Sequence, residues 1–301
     1  MIIDTDIGGS TTDAVLLEPD VRIVSVEAND PFAAAAGALG KLVSGLPRPL
    51  HDVRCVAATG AGASSLAADL LGVPVVLVSE IDAIGVGGTS LAGVDEALVV
   101  SMGTGTALVC VQHGEIRHVG GTGVGGGTLL GLSKHLLNAT RIETIEKLAA
   151  AGDLKRVDLT VGDIAGGPVG NLPVEATASN FGQLRSDATL EDKARALVNM
   201  IAEVIVSLSV TAARGHGVKK IVLTGKLLRV KPIVDRIRAT RRLFDVEFLL
   251  PDNADYATAI GAARSVSSGS PEARRPHRGL SVDEQPHPGP LLPFRVRARN
   301  G

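Results

Sequence analysis

The residues of this chain that are most able to do chemistry lie near its start, in residues 6–13. Two carboxylates flank glycines and hydroxyls there, in the order Asp6, Ile7, Gly8, Gly9, Ser10, Thr11, Thr12 and Asp13. Glycine lets several backbone N–H groups point at one anion, and hydroxyl side chains add further donors. Because a carboxylate beside a phosphate loop can hold Mg²⁺, the stretch predicts a phosphate site with a metal at Asp6. The plainer alternative is a tight hairpin turn that Asp6 merely closes.

A related pattern recurs twice along the chain. Residues 102–106 read Met-Gly-Thr-Gly-Thr, and residues 120–127 form the densest glycine run, which leads into Thr128. Residues 7–11 and 102–106 each lie between two strand-like runs, so both are predicted hairpin tips. The glycine run could be a linker, but it enters an apolar helical segment directly, and a helix N-terminus preceded by glycines suits an anion. Together the three segments predict a clamp on a polyphosphate. The patterns GxxxxGK[ST] and, after the first strand, GxGxxG are missing from the sequence.

Strand and helix patterns alternate around these loops, which indicates an α/β layered fold. Strands are predicted at residues 1–6, 13–17, 22–27, 53–57, 73–78, 115–119, 219–224 and 245–250, with a strand–loop–strand unit at 97–111. Helices are predicted at residues 31–44, 128–137, 190–214, 232–243 and 255–267, with a short one that ends at 71. The 190–214 helix has the clearest start, because Thr189 can cap it and Asp192 follows three residues later.

Composition excludes several classes of protein. The chain has 301 residues, 45% of them hydrophobic, and a net charge of −2, so it offers no general field for nucleic acid or an anionic membrane. Cys55 and Cys110 belong to no CxxC pair, and a reducing compartment is the simplest interpretation. Without a leader-like start or a long apolar run, we predict a cytoplasmic protein. Residues 268–301 are rich in Pro and Arg, and we predict that they do not fold.

The order of the motifs resembles that of a known family. DIGGSTTD, SEIDAIG, SMGTGT, HVGGTGVGGGTLLGL, TASNFGQL, VLTGKLL and TAIGAA follow one another through about residue 265. This series is similar to the type II pantothenate kinases of the actin-like and sugar-kinase-like ATPase superfamily. The resemblance implies a two-domain α/β, ribonuclease H-like fold with Mg·ATP in the interdomain cleft, a homodimer, and phosphorylation of the primary hydroxyl of pantothenate towards coenzyme A. It divides the chain into residues 1–95, 96–267 and the tail.

The resemblance also implies roles for individual residues. Glu80 falls on the family's catalytic glutamate, and a carboxylate past a strand end can accept the proton of an alcohol during phosphoryl transfer. Taken alone, Glu80 would more often be a solvated acid, and Asp82 is a weaker candidate that could cap the following helix. The implied nucleotide contacts are Asp6, Gly8, Gly9, Ser10, Thr11, Thr12, Asp13, Thr104, Gly105, Gly126, Gly127, Thr128 and Gly225.

Three positions depart from the family pattern. Asp13 stands where the family carries lysine, and DIGGSTTD is closer to the ATPase parts of hydantoinases and reactivating factors. His118 stands where an arginine for the substrate carboxylate is expected. Arg117 could replace that arginine only if the strand bulges, since adjacent strand residues face opposite sides. Lys226 replaces a small hydroxyl residue after Gly225. The nucleotide side therefore matches the family better than the acceptor side.

Other functions stay open at this point. A kinase of another small hydroxy compound is the nearest alternative. A conformational ATPase of the hydantoinase or reactivase type, or a nucleotide-binding regulator, comes next, although neither needs a base at Glu80.

Overall fold

A computed structural model describes residues 1–17, 21–27, 30–44, 50–240 and 244–267. The predicted tail at residues 268–301 lies outside this part of the chain. Two sheets and the helices between and around them form the architecture.

The first sheet contains six strands in the order β3-β2-β1-β4-β6-β5. Their bounds are β1 (Ile2–Ile7), β2 (Thr11–Leu16), β3 (Arg22–Glu27), β4 (Cys55–Thr59), β5 (Asp69–Leu70) and β6 (Val73–Leu77). β1, β2 and β3 form an antiparallel meander, as the short apolar runs predict. β4 runs parallel to β1, and β6 runs parallel to β4, so the sheet is mixed.

The second sheet contains five strands in the order β13-β12-β7-β8-β9. Their bounds are β7 (Ala97–Met102), β8 (Thr106–Gln112), β9 (Glu115–Thr122), β12 (Lys220–Thr224) and β13 (Glu247–Leu249). β10 (Leu159–Thr160) and β11 (Thr177–Ser179) form a separate small sheet. In each sheet the strand that comes first along the chain turns back into the next one through a hairpin. Each sheet therefore has an equivalent hairpin loop, between β1 and β2 in the first and between β7 and β8 in the second.

The helices complete the layers. Their bounds are α1 (Pro31–Ser44), α2 (Glu80–Ala92), α3 (Gly126–Leu137), α4 (Ile142–Ala151), α5 (Val161–Ala165), α6 (Leu190–Gly215), α7 (Lys231–Thr240) and α8 (Ala257–Ser267). α1 covers one face of the first sheet and α6 covers one face of the second. α8 packs on the other face of the first sheet, and α2 packs on the second. The predicted boundary at residues 95/96 falls just after α2 and stays a prediction.

α6 shows how local sequence builds the core of the second half. The Thr189 hydroxyl accepts from the Asp192 amide and the Asp192 carboxylate accepts from the Thr189 amide, which forms the predicted capping box. Leu197, Ile201 and Ile205 are buried at helical spacing. Among the described helices, α6 alone is long and apolar enough to cross a membrane, yet most of its apolar segment is buried inside the protein. Its apolarity is therefore accounted for by core packing.

The short helix predicted up to residue 71 is wrong. A 3₁₀ turn at Ala63–Ser65 is followed by β5, which hairpins into β6. Leu71 and Gly72 both take positive φ values, 55° and 79°, as the tight turn between these two strands requires. A helix cannot continue through such a turn.

α2 and α8 cross between the two sheets at very close range. A Cβ atom on Gly87 would lie 1.9 Å from the Ala257 carbonyl oxygen, and one on Gly261 would lie 1.9 Å from the Ala83 carbonyl oxygen. Only glycine leaves room for the opposing backbone at both positions. This contact sets the distance between the two halves of the protein.

We expect Gly87→Ala to lower stability by about 1–3 kcal/mol, because the added methyl group must push α8 away from α2. Urea denaturation measures the change. Gly37→Ala is the matched control, since Gly37 is exposed within α1 with no atom within 4 Å of the added Cβ, and it should raise stability by about 0.5–1 kcal/mol. If the two substitutions changed the free energy of unfolding equally, that result would contradict the close contact between α2 and α8.

Candidate functional site

Three carboxylates share one face of β1 and β2, two neighbouring strands of the first sheet. Side chains alternate along a strand, so Asp4 and Asp6 point to the same side of β1. Asp13 of β2 lies directly opposite Asp6 of β1, so the two side chains are on the same face. Asp4 pairs with Val15 and is buried completely, and because Val15 packs against α8, this face points into the space between the sheets.

The two predicted hairpin tips meet at the end of this face. The first tip joins β1 to β2 and closes with the Gly8 amide donating to the Thr11 carbonyl at 3.0 Å. The second joins β7 to β8, where Met102 pairs with Thr106. The exposed hydroxyls of Ser10 and Thr104 lie 3.2 Å apart. Two glycine-rich tips of different sheets therefore face each other in one cleft.

The glycine run supports the second tip from behind. The Gly126 amide donates to the Gly103 carbonyl at 2.8 Å, and the Gly127 amide donates to the Thr104 carbonyl at 2.9 Å. A Cβ atom on Gly125 would lie 2.7 Å from the Thr104 carbonyl oxygen, so the close packing needs glycine there. The Thr128 hydroxyl donates to a carbonyl within the run, that of Gly123. The run packs on the second tip, which in turn meets the first tip at Ser10. The predicted nucleotide contacts of Gly126, Gly127 and Thr128 stay predictions.

A turn of the second half completes the cleft. Gly225 follows β12 with φ of 94° and packs so tightly against Met102 that any Cβ atom would clash with its backbone. The next residue, Lys226, reaches across the cleft to the first sheet. Its Nζ donates to Asp13 Oδ1 at 2.7 Å and to Thr11 Oγ1 at 2.5 Å. Asp13 also accepts from the Ser25 hydroxyl.

Glu80 begins α2 at the edge of this cleft. Ser79 is the N-cap of that helix, with its hydroxyl accepting from the Asp82 amide, so the alternative that Asp82 caps the helix is wrong. Glu80 is an exposed residue, and partial desolvation of its carboxyl raises its pKa. Its charge contributes to the raised pKa of Asp6, so the predicted base lies within electrostatic range of the predicted metal ligand.

The crowding of acids shifts their protonation. Burial first, then Asp13 and Glu80, raise the pKa of Asp6 from 3.8 to about 7, and Lys226 opposes the rise. Burial and the adjacent Asp6 raise the pKa of Asp4 well above its ordinary value, although the Thr5 backbone lowers it. These shifts favour the neutral acid at Asp4 and leave Asp6 near the midpoint of its titration at neutral pH.

The two candidate acceptor residues lie on opposite faces of β9. Arg117 pairs with Cys110 and His118 with Val109, and β9 bulges only beyond His118. The bulge therefore does not turn Arg117 to the side of His118. His118 shares a face with Ile116, which packs against Gly85 of α2, whereas Arg117 is 3.8 Å from Glu115 on the other face.

The carboxylates of this site suit a metal ion that is also coordinated by phosphates. In the described ranges, no group of three or more His, Cys, Asp or Glu side chains could hold a metal ion by itself. Mg²⁺ in nucleotide sites takes one or two carboxylates, and substrate phosphates supply further ligands. Asp6, beside the first tip, meets that requirement. Sequence reasoning found these residues but missed the pairing of Asp13 with Lys226, whose only signal was that both positions depart from the family pattern.

Parts of this chain are similar to proteins of a known family. A family model described as Fumble matches residues 96–246. The type II pantothenate kinase of Bacillus cereus (strain ATCC 10987 / NRS 248) is 35% identical over 138 residues, which cover 45% of this chain and 50% of that protein. That of Staphylococcus haemolyticus (strain JCSC1435) is 31% identical over 176 residues, which cover 56% of this chain and 65% of that protein. The chain thus spans about half the length of most of the curated relatives it matches.

Solved structures confirm the predicted fold. (R)-2-hydroxyglutaryl-CoA dehydratase component A of Acidaminococcus fermentans superposes with a TM-score of 0.63 at 19% identity, covering 87% of this chain and 95% of that one. A ROK family glucokinase of Streptomyces griseus, in complex with glucose and AMPPNP, gives 0.56 at 16% identity, covering 87% and 98%. At such identities the likeness concerns the fold, which is that of the actin-like and sugar-kinase-like ATPases.

The pKa of Asp6 predicts an unusual pH dependence of stability. The folded protein keeps on Asp6 a proton that the unfolded chain loses between about pH 4 and pH 7, so the free energy of unfolding falls as pH rises through this range. Asp6→Asn removes this ionisation. In urea denaturation without nucleotide, the variant should be more stable than the wild type at pH 8 by about 1 kcal/mol or more, and equal to it near pH 4.

Asp163→Asn is a control, because the pKa of Asp163 is shifted in the opposite direction to that of Asp6. The Thr160 hydroxyl and amide lower the pKa of exposed Asp163, so this variant should be less stable than the wild type at pH 8. A pH-independent difference between wild type and Asp6→Asn would contradict the crowding of carboxylates at Asp6.

Proposed function

The chain belongs to the Fumble family, and from this premise we propose that it transfers a phosphoryl group from ATP to the primary hydroxyl of pantothenate, the first step towards coenzyme A. The names of its curated relatives support the acceptor. The observation that carries the proposal is the meeting of two glycine-rich tips, with Ser10 and Thr104 at 3.2 Å, beside Asp6 and Glu80. Backbone amides and hydroxyls of such tips are suited to the oxygens of a polyphosphate.

In this proposal, Glu80 is the general base. Its carboxylate accepts the proton of the acceptor hydroxyl as the new O–P bond forms, which makes a poor nucleophile reactive. Partial burial raises the pKa of Glu80 and makes the ionised carboxylate a stronger base. Its position at the N-terminus of α2, on the cleft side, leaves it accessible to a small acceptor.

Asp6 is the proposed magnesium ligand in the same site. Mg²⁺ bound with ATP would neutralise charge on the transferred phosphoryl group. Gly8, Gly9, Ser10 and Thr11 would surround the phosphates from the first tip, and Thr104 and Gly105 from the second. Thr12, also a predicted contact, is buried within β2. Gly225, which packs against the Met102 backbone at the base of the second tip, would lie near the adenosine.

On the acceptor side, His118 is the better placed of the two candidates. It shares the face of β9 that packs on α2, the helix that begins at Glu80, while Arg117 faces away. An imidazole can donate a hydrogen bond to a carboxylate such as that of pantothenate. His118 therefore takes the role that arginine has in the family pattern.

The site and the surface also bear on partners and location. The acceptor is a small molecule, and neither nucleic acid nor a membrane is a proposed partner. A homodimer is proposed, for which exposed Ile164, Val169 and Leu172 offer an apolar surface in the second half. A cytoplasmic location follows from the proposed place in coenzyme A synthesis.

Release of ADP by the purified protein tests the proposal. The assay compares pantothenate, pantetheine, other hydroxy acids and no acceptor, each with Mg·ATP. We expect ADP release that depends on pantothenate. ADP release that is steady without any acceptor would instead support the conformational ATPase, and release only with another hydroxy compound would support the alternative kinase.

Glu80→Gln tests the base. Since the amide cannot take the proton, kcat should fall about 10²- to 10⁴-fold while the KM for ATP changes little. Asp82→Asn, two residues along the same helical turn, is the matched control and should keep most of the activity. If Glu80→Gln turned over pantothenate at nearly the wild-type rate, Glu80 would not be the base.

A further inference from the structure

Lys226 links the two halves of the protein through its side chain. It lies in the second half, in the turn after β12, while both of its hydrogen-bond acceptors lie on β2 of the first half. Its ion pair with Asp13 is close, at 2.7 Å, and Asp13 is buried. Such a contact orders a flexible four-carbon side chain and places its ammonium group at the base of the first tip.

Charge balance indicates what this ammonium group is suited to do. Asp6, Asp13 and Glu80 concentrate negative charge where a triphosphate would have to enter. Among the described residues whose charges act on Asp6, Lys226 is the cation. A polyanion entering this site needs a positive group to offset the repulsion, and a lysine is suited to that role as a point charge.

Lys226 and Thr11 also have hydrogen-bond donors that remain available for a phosphate. The ammonium group has three N–H donors, of which Asp13 and Thr11 take two. About a quarter of the Lys226 side chain stays exposed. Thr11 accepts from Lys226, so its own hydroxyl hydrogen is free to serve another acceptor. One ammonium hydrogen and one hydroxyl hydrogen are thus available side by side at the first tip.

We propose that Lys226 is the phosphate-contacting cation of this site, delivered from the second half of the protein, and that Asp13 is the positioning residue that holds it there. The inference rests on the ATP-binding part of the proposed function and goes beyond it by assigning these two residues. Asp13 and Lys226 then act as a pair, in which the carboxylate positions the ammonium group for a phosphate.

Nucleotide binding to three variants tests this assignment by isothermal titration calorimetry with ATP, ADP and adenosine. Lys226→Met should weaken binding of ATP and ADP about 10- to 100-fold, as expected for loss of a charge-assisted hydrogen bond, and leave adenosine binding unchanged. Unchanged adenosine binding and an unchanged circular dichroism spectrum establish that the variant is folded. Lys231→Met, five residues further on and paired with Asp235, is the lysine control and should bind all three ligands normally.

The double variant Asp13→Asn/Lys226→Met separates phosphate contact from simple neutralisation. It keeps the net charge of the wild type, so it would restore ATP binding if Lys226 only compensated for buried Asp13. We expect ATP binding to stay weak, because the phosphate still lacks its cation. Wild-type ATP affinity in either variant that lacks Lys226 would overturn the inference.

The result of this binding experiment does not depend on which compound accepts the phosphoryl group. A wild-type protein that binds ATP but phosphorylates no hydroxy compound would end the proposed function and leave this inference in place. An active pantothenate kinase whose Lys226→Met variant binds ATP normally would end the inference and leave the proposed function in place.

Discussion

The structure depends on one electrostatic conflict, the grouping of carboxylates on the inner face of two adjoining strands. Asp6 and Asp13 are cross-strand partners, Asp4 is buried beside them, and Glu80 acts on the same site. Like charges at such range oppose ionisation, and burial adds to the cost. Lys226 offsets this cost from the opposite half of the protein, with an ammonium group placed 2.7 Å from Asp13. A site that combines several carboxylates with a cation held in place by Asp13 suits a metal and a polyphosphate better than an apolar ligand.

Backbone packing places the two sides of this cleft. α2 and α8 approach so closely at Gly87 and Gly261 that each half is held by a helix packed on the other. The glycine run before α3 does the same at short range, because it allows the backbone of Gly125 to touch the second tip. Glycine therefore has two uses here. At the tips it frees amides for a ligand, and behind them it removes the side chains that would keep the tips apart.

Local features of this fold were predictable from the sequence, and remote ones were not. The capping box at Thr189 and the two hairpin tips are set by neighbouring residues, so their patterns predicted them correctly. The helix expected up to residue 71 failed because composition does not reveal the positive φ values at Leu71 and Gly72. Lys226 and Asp13 are 213 positions apart, and only folding brings them together. Each was noticed separately as a departure from the family pattern, and the structure supplied the reason that they depart together.

The central claim is that a nucleotide binds with its phosphates between the two tips, where charges from both halves converge. A crystal structure with Mg²⁺, pantothenate and a nonhydrolysable ATP analogue tests it most directly. The account predicts phosphate oxygens in contact with residues 8–11 and 103–105, the metal at Asp6, and the pantothenate hydroxyl within hydrogen-bond reach of Glu80. A nucleotide bound outside the cleft, or an acceptor remote from Glu80, would contradict it.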